Sequence, residues 1–100
     1  MVQINWTLQA VFDLKNIKEY IAFDSIYYAK KTILEIRFET QILKTFPQIG
    51  GIIPEIENEF FREIIYGNYR IMYKIVSETR IDILTIYHSS RNLCLKKLLK

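Results

Sequence analysis

The spacing of apolar residues changes once along this chain of 100 residues, and that change restricts the fold more than any other feature. From Ala10 to Leu43 the apolar positions recur at intervals of three and four. From Phe60 to His88 they recur at two. The first pattern is one face of a helix; the second is the alternation of side chains along a strand. Pro47, Gly50, Gly51 and Pro54 lie between them. Such a cluster ends a helix and makes an irregular loop. Helices followed by consecutive strands define an α+β domain. The length is too short for a second domain, so residues 1–100 are expected to fold as one.

Within this frame the elements follow from local chemistry. Val2, Ile4 and Trp6 alternate with Gln3 and Asn5, which predicts a strand over Val2–Trp6. Thr7 can cap a helix whose stripe is Ala10, Leu14, Ile17 and Ile21, with Asp13, Lys15, Lys18 and Glu19 off it. Asp24 or Ser25 caps the next helix, whose stripe is Ile26, Ala29, Ile33, Ile36, Thr40 and Leu43. Two amphipathic helices joined by about three residues form an antiparallel hairpin. Phe60–Tyr66, Tyr69–Val76 and Ile81–His88 read as strands. Gly67-Asn68 suits a two-residue turn and Ser77–Arg80 a slightly longer one, which makes an antiparallel meander. Asn92–Lys100 reads as a short terminal helix capped by Ser90 or Asn92.

Strict alternation in the last strand puts Ile81, Ile83 and Tyr87 on one face and Leu84 and Ile86 on the other. The middle strand opposes Tyr69, Ile71, Tyr73 and Ile75 to Met72 and Val76. Both faces of the sheet are therefore apolar, and one hairpin covers only one face. The terminal helix or a partner protein is expected over the second.

Composition excludes several classes. Half the residues are apolar and a quarter are charged, so the chain folds. No apolar run exceeds four residues (Tyr20–Phe23 and Ile26–Ala29). That excludes a transmembrane helix and gives no expectation of a signal peptide. The single cysteine, Cys94, cannot form an internal disulfide, which points to a reducing, cytoplasmic setting. With one His and one Cys, neither a zinc site nor another metal is expected. Gly50-Gly51 lacks the spacing of a phosphate loop, so no cofactor is expected. The net charge is +3, and Arg91, Lys96, Lys97 and Lys100 fall in a stretch without acids. Those cations suit either the C-terminal end of a helix dipole or an anionic partner.

The remaining candidates for chemistry are Arg62, Arg70, His88 and Arg91. In a meander the end of the last strand lies beside the start of the middle one, which brings Arg70 towards His88 and Arg91. Two arginines and a histidine make a cationic pocket suited to a phosphodiester. The simpler alternative has Arg62 paired with Glu63 or Glu59, Arg70 in a structural ion pair and His88 as a strand-end polar residue.

Three segments carry a resemblance. They are Ile4-Asn5-Trp6-Thr7, then Arg62-Glu63-Ile64 followed by Gly67-Asn68-Tyr69-Arg70-Ile71-Met72-Tyr73-Lys74-Ile75, and Ile83-Leu84-Thr85-Ile86-Tyr87-His88-Ser89-Ser90-Arg91. Over nearly the whole chain these resemble the RelE/ParE superfamily of bacterial type II toxins, also known as plasmid stabilisation proteins. The resemblance implies a growth-arresting toxin neutralised by a small, commonly acidic antitoxin that wraps it. RelE-like members cleave messenger RNA on the ribosome without a metal. For them the resemblance implies Arg70 and Arg91 on the phosphate and His88 as proton donor or acceptor. Their pocket lysines fall near Phe61 and Glu63 here and are absent. ParE-like members poison DNA gyrase. For them the resemblance implies target contacts by Arg62 and by the segment Leu93–Lys100, with Lys96, Lys97 and Lys100. The missing lysines place the chain nearer the ParE branch, leaving a folded binding module for the antitoxin as a third possibility.

Overall fold

The computed structural model describes residues 2–88. A strand β1 (Gln3–Trp6) leads into α1 (Leu8–Ala22) and α2 (Ile26–Thr40). One 3₁₀ turn (Gln41–Lys44) follows, and then β2 (Gly51–Ile52), β3 (Phe61–Tyr66), β4 (Tyr69–Ser77) and β5 (Arg80–His88). The strands form one sheet in the order β1-β5-β4-β3-β2. β1 runs parallel to β5, and the other neighbours are antiparallel. The helix hairpin and the meander are thus present. The loop between them contains a short strand, β2, that the Pro and Gly cluster hides. Its two residues pair with Arg62 and Glu63. The terminal helix expected over Asn92–Lys100, with its caps Ser90 and Asn92, lies outside the described residues.

Both helix starts follow from their caps. The Thr7 Oγ1 accepts from the Ala10 amide at 3.2 Å and donates to the Ile83 and Leu84 carbonyls at 2.8 and 3.0 Å. One hydroxyl therefore satisfies an orphan amide and ties α1 to β5. The Ser25 Oγ accepts from the Tyr28 amide at 3.2 Å and opens α2 after a turn of three residues. Gly67 takes φ +57°, as the first central residue of a type II′ hairpin turn requires.

Below the hairpin, Ala10, Leu14, Ile36 and Leu43 meet Ile71, Tyr73, Ile81, Ile83 and Ile86 in one buried core. Here the structure corrects the alternation expected of the last strand. Thr85 pairs with Met72 and Ile83 with Tyr73, so Leu84 is an extra residue in β5. This bulge reverses the faces beyond it. Ile86 therefore joins Ile81 and Ile83 under the helices. Leu84 packs on the other face against Ile53, Phe61 and Met72. Tyr87 comes opposite Arg70.

Part of the second face is covered from an unexpected source. The segment after β2 folds back over it. Ile53 is buried and Ile56 half-buried against Phe61 and Met72, and the Ile53 amide donates to the Phe61 carbonyl at 3.3 Å. This strap does within the described chain part of what the sequence assigned to a terminal helix or a partner.

Candidate functional site

Arg70 lies on the strap side of the sheet, in register opposite Tyr87. Its Nε donates to Glu63 Oε2 at 2.5 Å. Its Nη1 and Nη2 donate to the two carboxylate oxygens of Glu55 at 2.9 and 3.0 Å. The fork–fork geometry is the strong form of this pair. The hydrogen bond to Glu55 is the main cause that holds the guanidinium above its ordinary pKa, with Glu63 adding to it against the effect of burial. The bond to Arg70 likewise lowers the Glu55 carboxyl. One cation between two carboxylates leaves a local charge of −1, which repels a phosphate instead of gathering it.

A pH dependence follows. Glu55 is charged in the folded state at pH values where it would be protonated in the unfolded chain, so its contribution is complete above the unfolded value of 4.5. It is lost as pH falls through the lowered folded value. Acidification below pH 4.5 is expected to loosen the strap in the parent and to change little in a Glu55→Gln variant. Proteolytic nicking of the strap as a function of pH reads this; identical profiles would remove Glu55 as the tether.

His88 sits on the opposite face of the sheet. Its ring stands edge-on to Tyr69, with centroids 5.4 Å apart and planes at 87°. With Tyr69, Asp13, Asn16, Ile17, Tyr20 and Ile86 it lines a cleft of about 280 Å³ between α1 and the sheet. The structure therefore does not bring Arg70 and His88 together. The reason is the bulge at Leu84, which turns His88 towards the helices. An unbulged strand would have kept it on the Arg70 face.

Arg62 pairs with neither Glu63 nor Glu59 through its carboxylate. Its Nε donates to the Glu59 carbonyl at 2.9 Å, and its Nη1 to the Gly50 and Gln48 carbonyls at 2.9 and 3.3 Å. These bonds close the loop before and after β2. Arg91, Lys96, Lys97 and Lys100 lie outside the described residues. Among the described residues no group of three or more His, Cys, Asp or Glu could hold a metal, and no helix is long and apolar enough to cross a membrane.

Two carboxylates that hold the scaffold around these residues are not marked by the sequence. Glu55 lies in a loop, where no periodicity marks a partner. Asp13 lies off the apolar stripe of its helix, yet its Oδ2 accepts from the Thr85 hydroxyl and, at 3.1 Å, from the Ile86 amide. Its position three residues after Ala10, beside the stripe, is the one available signal.

The described residues form a helix hairpin on a mixed five-stranded sheet, with Arg62 and Arg70 tied into the scaffold. The model of the family described as ParE toxin of type II toxin-antitoxin system, parDE, matches residues 4–93. The chain belongs to that family, the ParE branch of the RelE/ParE toxins. Among solved structures it is similar to a chain of the "Chromosomal ParDE TA system from P. aeruginosa". The TM-score is 0.72 at 22% identity, over 88% of this chain and 96% of that one. No curated protein matches this chain.

Proposed function

We propose that this ParE-family chain arrests growth by acting on DNA gyrase, and that a small acidic antitoxin holds it inactive. The observation that carries the choice of target is the state of Arg70. A phosphodiester-cleaving pocket built on Arg70, His88 and Arg91 needs uncommitted positive charge and a proton-transfer group on one face. Arg70 is instead held by Glu55 and Glu63, and His88 faces the helices. Membership of the ParE family supports the same reading. The net charge of +3 favours an acidic antitoxin, because opposite charges speed encounter. Arg62 is bound to the Glu59, Gln48 and Gly50 carbonyls, so target contacts fall to the cations Lys96, Lys97 and Lys100.

The test is DNA supercoiling by purified gyrase with the free chain, and with the antitoxin-bound chain as control. Loss of supercoiling or accumulation of cleaved DNA, relieved by the antitoxin, is expected. Replacing Lys96, Lys97 and Lys100 together with Gln is expected to weaken inhibition by at least about tenfold while antitoxin binding persists. A folded, growth-arresting chain that leaves gyrase untouched moves the target to ribosome-bound mRNA, with Arg70, His88 and Arg91 as the residues to substitute. A folded chain that arrests nothing is a binding module for its antitoxin.

A further inference from the structure

The strap over the second sheet face is built to open. Its middle is a single turn: the Ile56 and Glu57 amides both donate to the Ile53 carbonyl, at 3.1 and 3.0 Å. Pro54 begins the turn, where its fixed φ and missing amide cost nothing. Glu57 ends it at φ +55°, the one left-handed residue other than glycine among the described residues. A side chain with a Cβ is disfavoured in that conformation, so the turn holds strain that lifting relieves. The contacts that hold it down are unequal. Ile53 is fully buried and its amide is bonded to the Phe61 carbonyl, so it stays with the sheet. Beyond it the turn is held by Glu55 on Arg70 and by Ile56 against Phe61 and Met72. Glu55 is the outer of the two carboxylates on Arg70, with 35% of its side chain exposed against 15% for Glu63. A competing carboxylate therefore reaches Glu55 first, while Glu63 keeps the guanidinium in place.

Beneath the turn, β4 presents Arg70, Met72 and Lys74 at a spacing of two, so all three project from one face. Phe61 and Leu84 add apolar surface there. The Lys74 Nζ stands 5.3 Å from the centroid of the Phe61 ring and makes no ion pair among the described residues. An apolar patch between a guanidinium and an unpaired ammonium fits a segment with carboxylates on both sides of an apolar residue. Glu55-Ile56-Glu57 of the strap is such a segment, already seated on this face by its own chain. A nucleic-acid backbone would meet the two cations and leave the apolar patch uncovered.

We propose that the strap turn is a stand-in, held in cis, for an acidic and apolar segment of a partner protein. The partner's carboxylate takes Arg70 from Glu55, and the turn lifts about Ile53. The partner's apolar side chain then replaces Ile56 on Phe61 and Met72, and a second carboxylate meets Lys74. A segment joined in cis competes at an effective concentration on the order of millimolar, so the strap excludes acidic chains that match the face poorly. This goes beyond the antitoxin reading and is tested without an antitoxin. The probe is a fluorescein-labelled peptide with the sequence of residues 52–60, Ile-Ile-Pro-Glu-Ile-Glu-Asn-Glu-Phe, added to the full chain and followed by fluorescence anisotropy. Glu55→Gln in the chain weakens the cis competitor and is expected to raise affinity for the peptide at least about fivefold. Glu55 is exposed, so the fold tolerates the change. Gln in place of the first Glu of the peptide is expected to lower affinity at least about fivefold. In the parent, peptide binding is expected to speed hydrogen exchange of the Ile56 and Glu57 amides, which a strap that only covers the sheet would not show. Equal affinity of the parent and Glu55→Gln overturns the competition in cis. Equal affinity of the two peptides overturns Arg70 as the seat. An eight-nucleotide RNA that displaces the peptide and speeds the same amides assigns the face to phosphate and overturns the proposal too. Absence of peptide binding to Glu55→Gln overturns it altogether and leaves the antitoxin and gyrase readings intact.

Discussion

Tyr73→Ala is expected to destabilise the protein by about 3–5 kcal/mol, a large share of the total for a domain of this size. Tyr73 is fully buried in the centre of the core. Truncation removes a ring from the middle of the sheet and leaves a cavity that the surrounding strands cannot close. The hydroxyl adds a separate part. It donates to the Pro47 carbonyl at 2.7 Å and accepts from the Gly50 amide at 3.0 Å. Tyr73→Phe strands both backbone groups and is expected to cost about 1–3 kcal/mol. Gly50 reports on the same contact from the other side. A Cβ there would lie 2.6 Å from both the Tyr73 hydroxyl and the Glu63 carbonyl. Neither a buried ring nor a strand backbone can withdraw, so Gly50→Ala is expected to destabilise by about 1–3 kcal/mol or more. Urea unfolding followed by the fluorescence of Trp6, the one tryptophan, measures all three. A Tyr73→Phe variant as stable as the parent would show that the hydroxyl does not close this loop. Burial also pushes the Tyr73 phenol above its ordinary 10.0, against smaller opposing effects of Gly50 and Arg62. Its stabilising contribution is therefore complete below pH 10 and is lost as the pH rises towards the folded value.

The second large effect is expected at Asp13. Asp13→Ala removes the acceptor of the Thr85 hydroxyl and of the Ile86 amide at the bulge. Hydrogen bonds to a charged group contribute about 1.5–3 kcal/mol, and the orphaned Ile86 amide is partly buried. A loss of about 2–3 kcal/mol is expected, with faster hydrogen exchange concentrated at Ile86. Asp13→Asn keeps a carbonyl oxygen that can accept and is expected to recover a substantial part of the loss. Uniform acceleration across β5 in Asp13→Ala would instead mean that Asp13 supports the strand generally and does not secure the bulge. The distinction bears on function, because the bulge sets which way His88 faces.

The helices were legible because their information is local. The stripe Ala10–Leu14–Ile17–Ile21 and the caps Thr7 and Ser25 each act within a turn or two of chain. The meander was legible for the same reason, since Gly67 and alternation specify a hairpin between adjacent segments. The candidate site was much less legible. Arg70 and His88 are neighbours in a strict meander, and a single extra residue, Leu84, separates them to opposite faces. Alternation counted along one strand cannot register a residue that its partner strand skips.

By itself the sequence determined the class of fold, the helix hairpin, the meander and the apolar character of both sheet faces. These follow from periodicity, caps and turn chemistry, which act over a few residues. Only the tertiary structure decided that β1 lies parallel to β5, that the strap covers part of the second face, and that Glu55 and Glu63 hold Arg70. It also decided that Asp13 secures a bulge 72 and 73 residues away. Each of these is a pairing between distant segments. Its partner is selected by the geometry of the whole packed sheet, and no spacing along the chain encodes that choice.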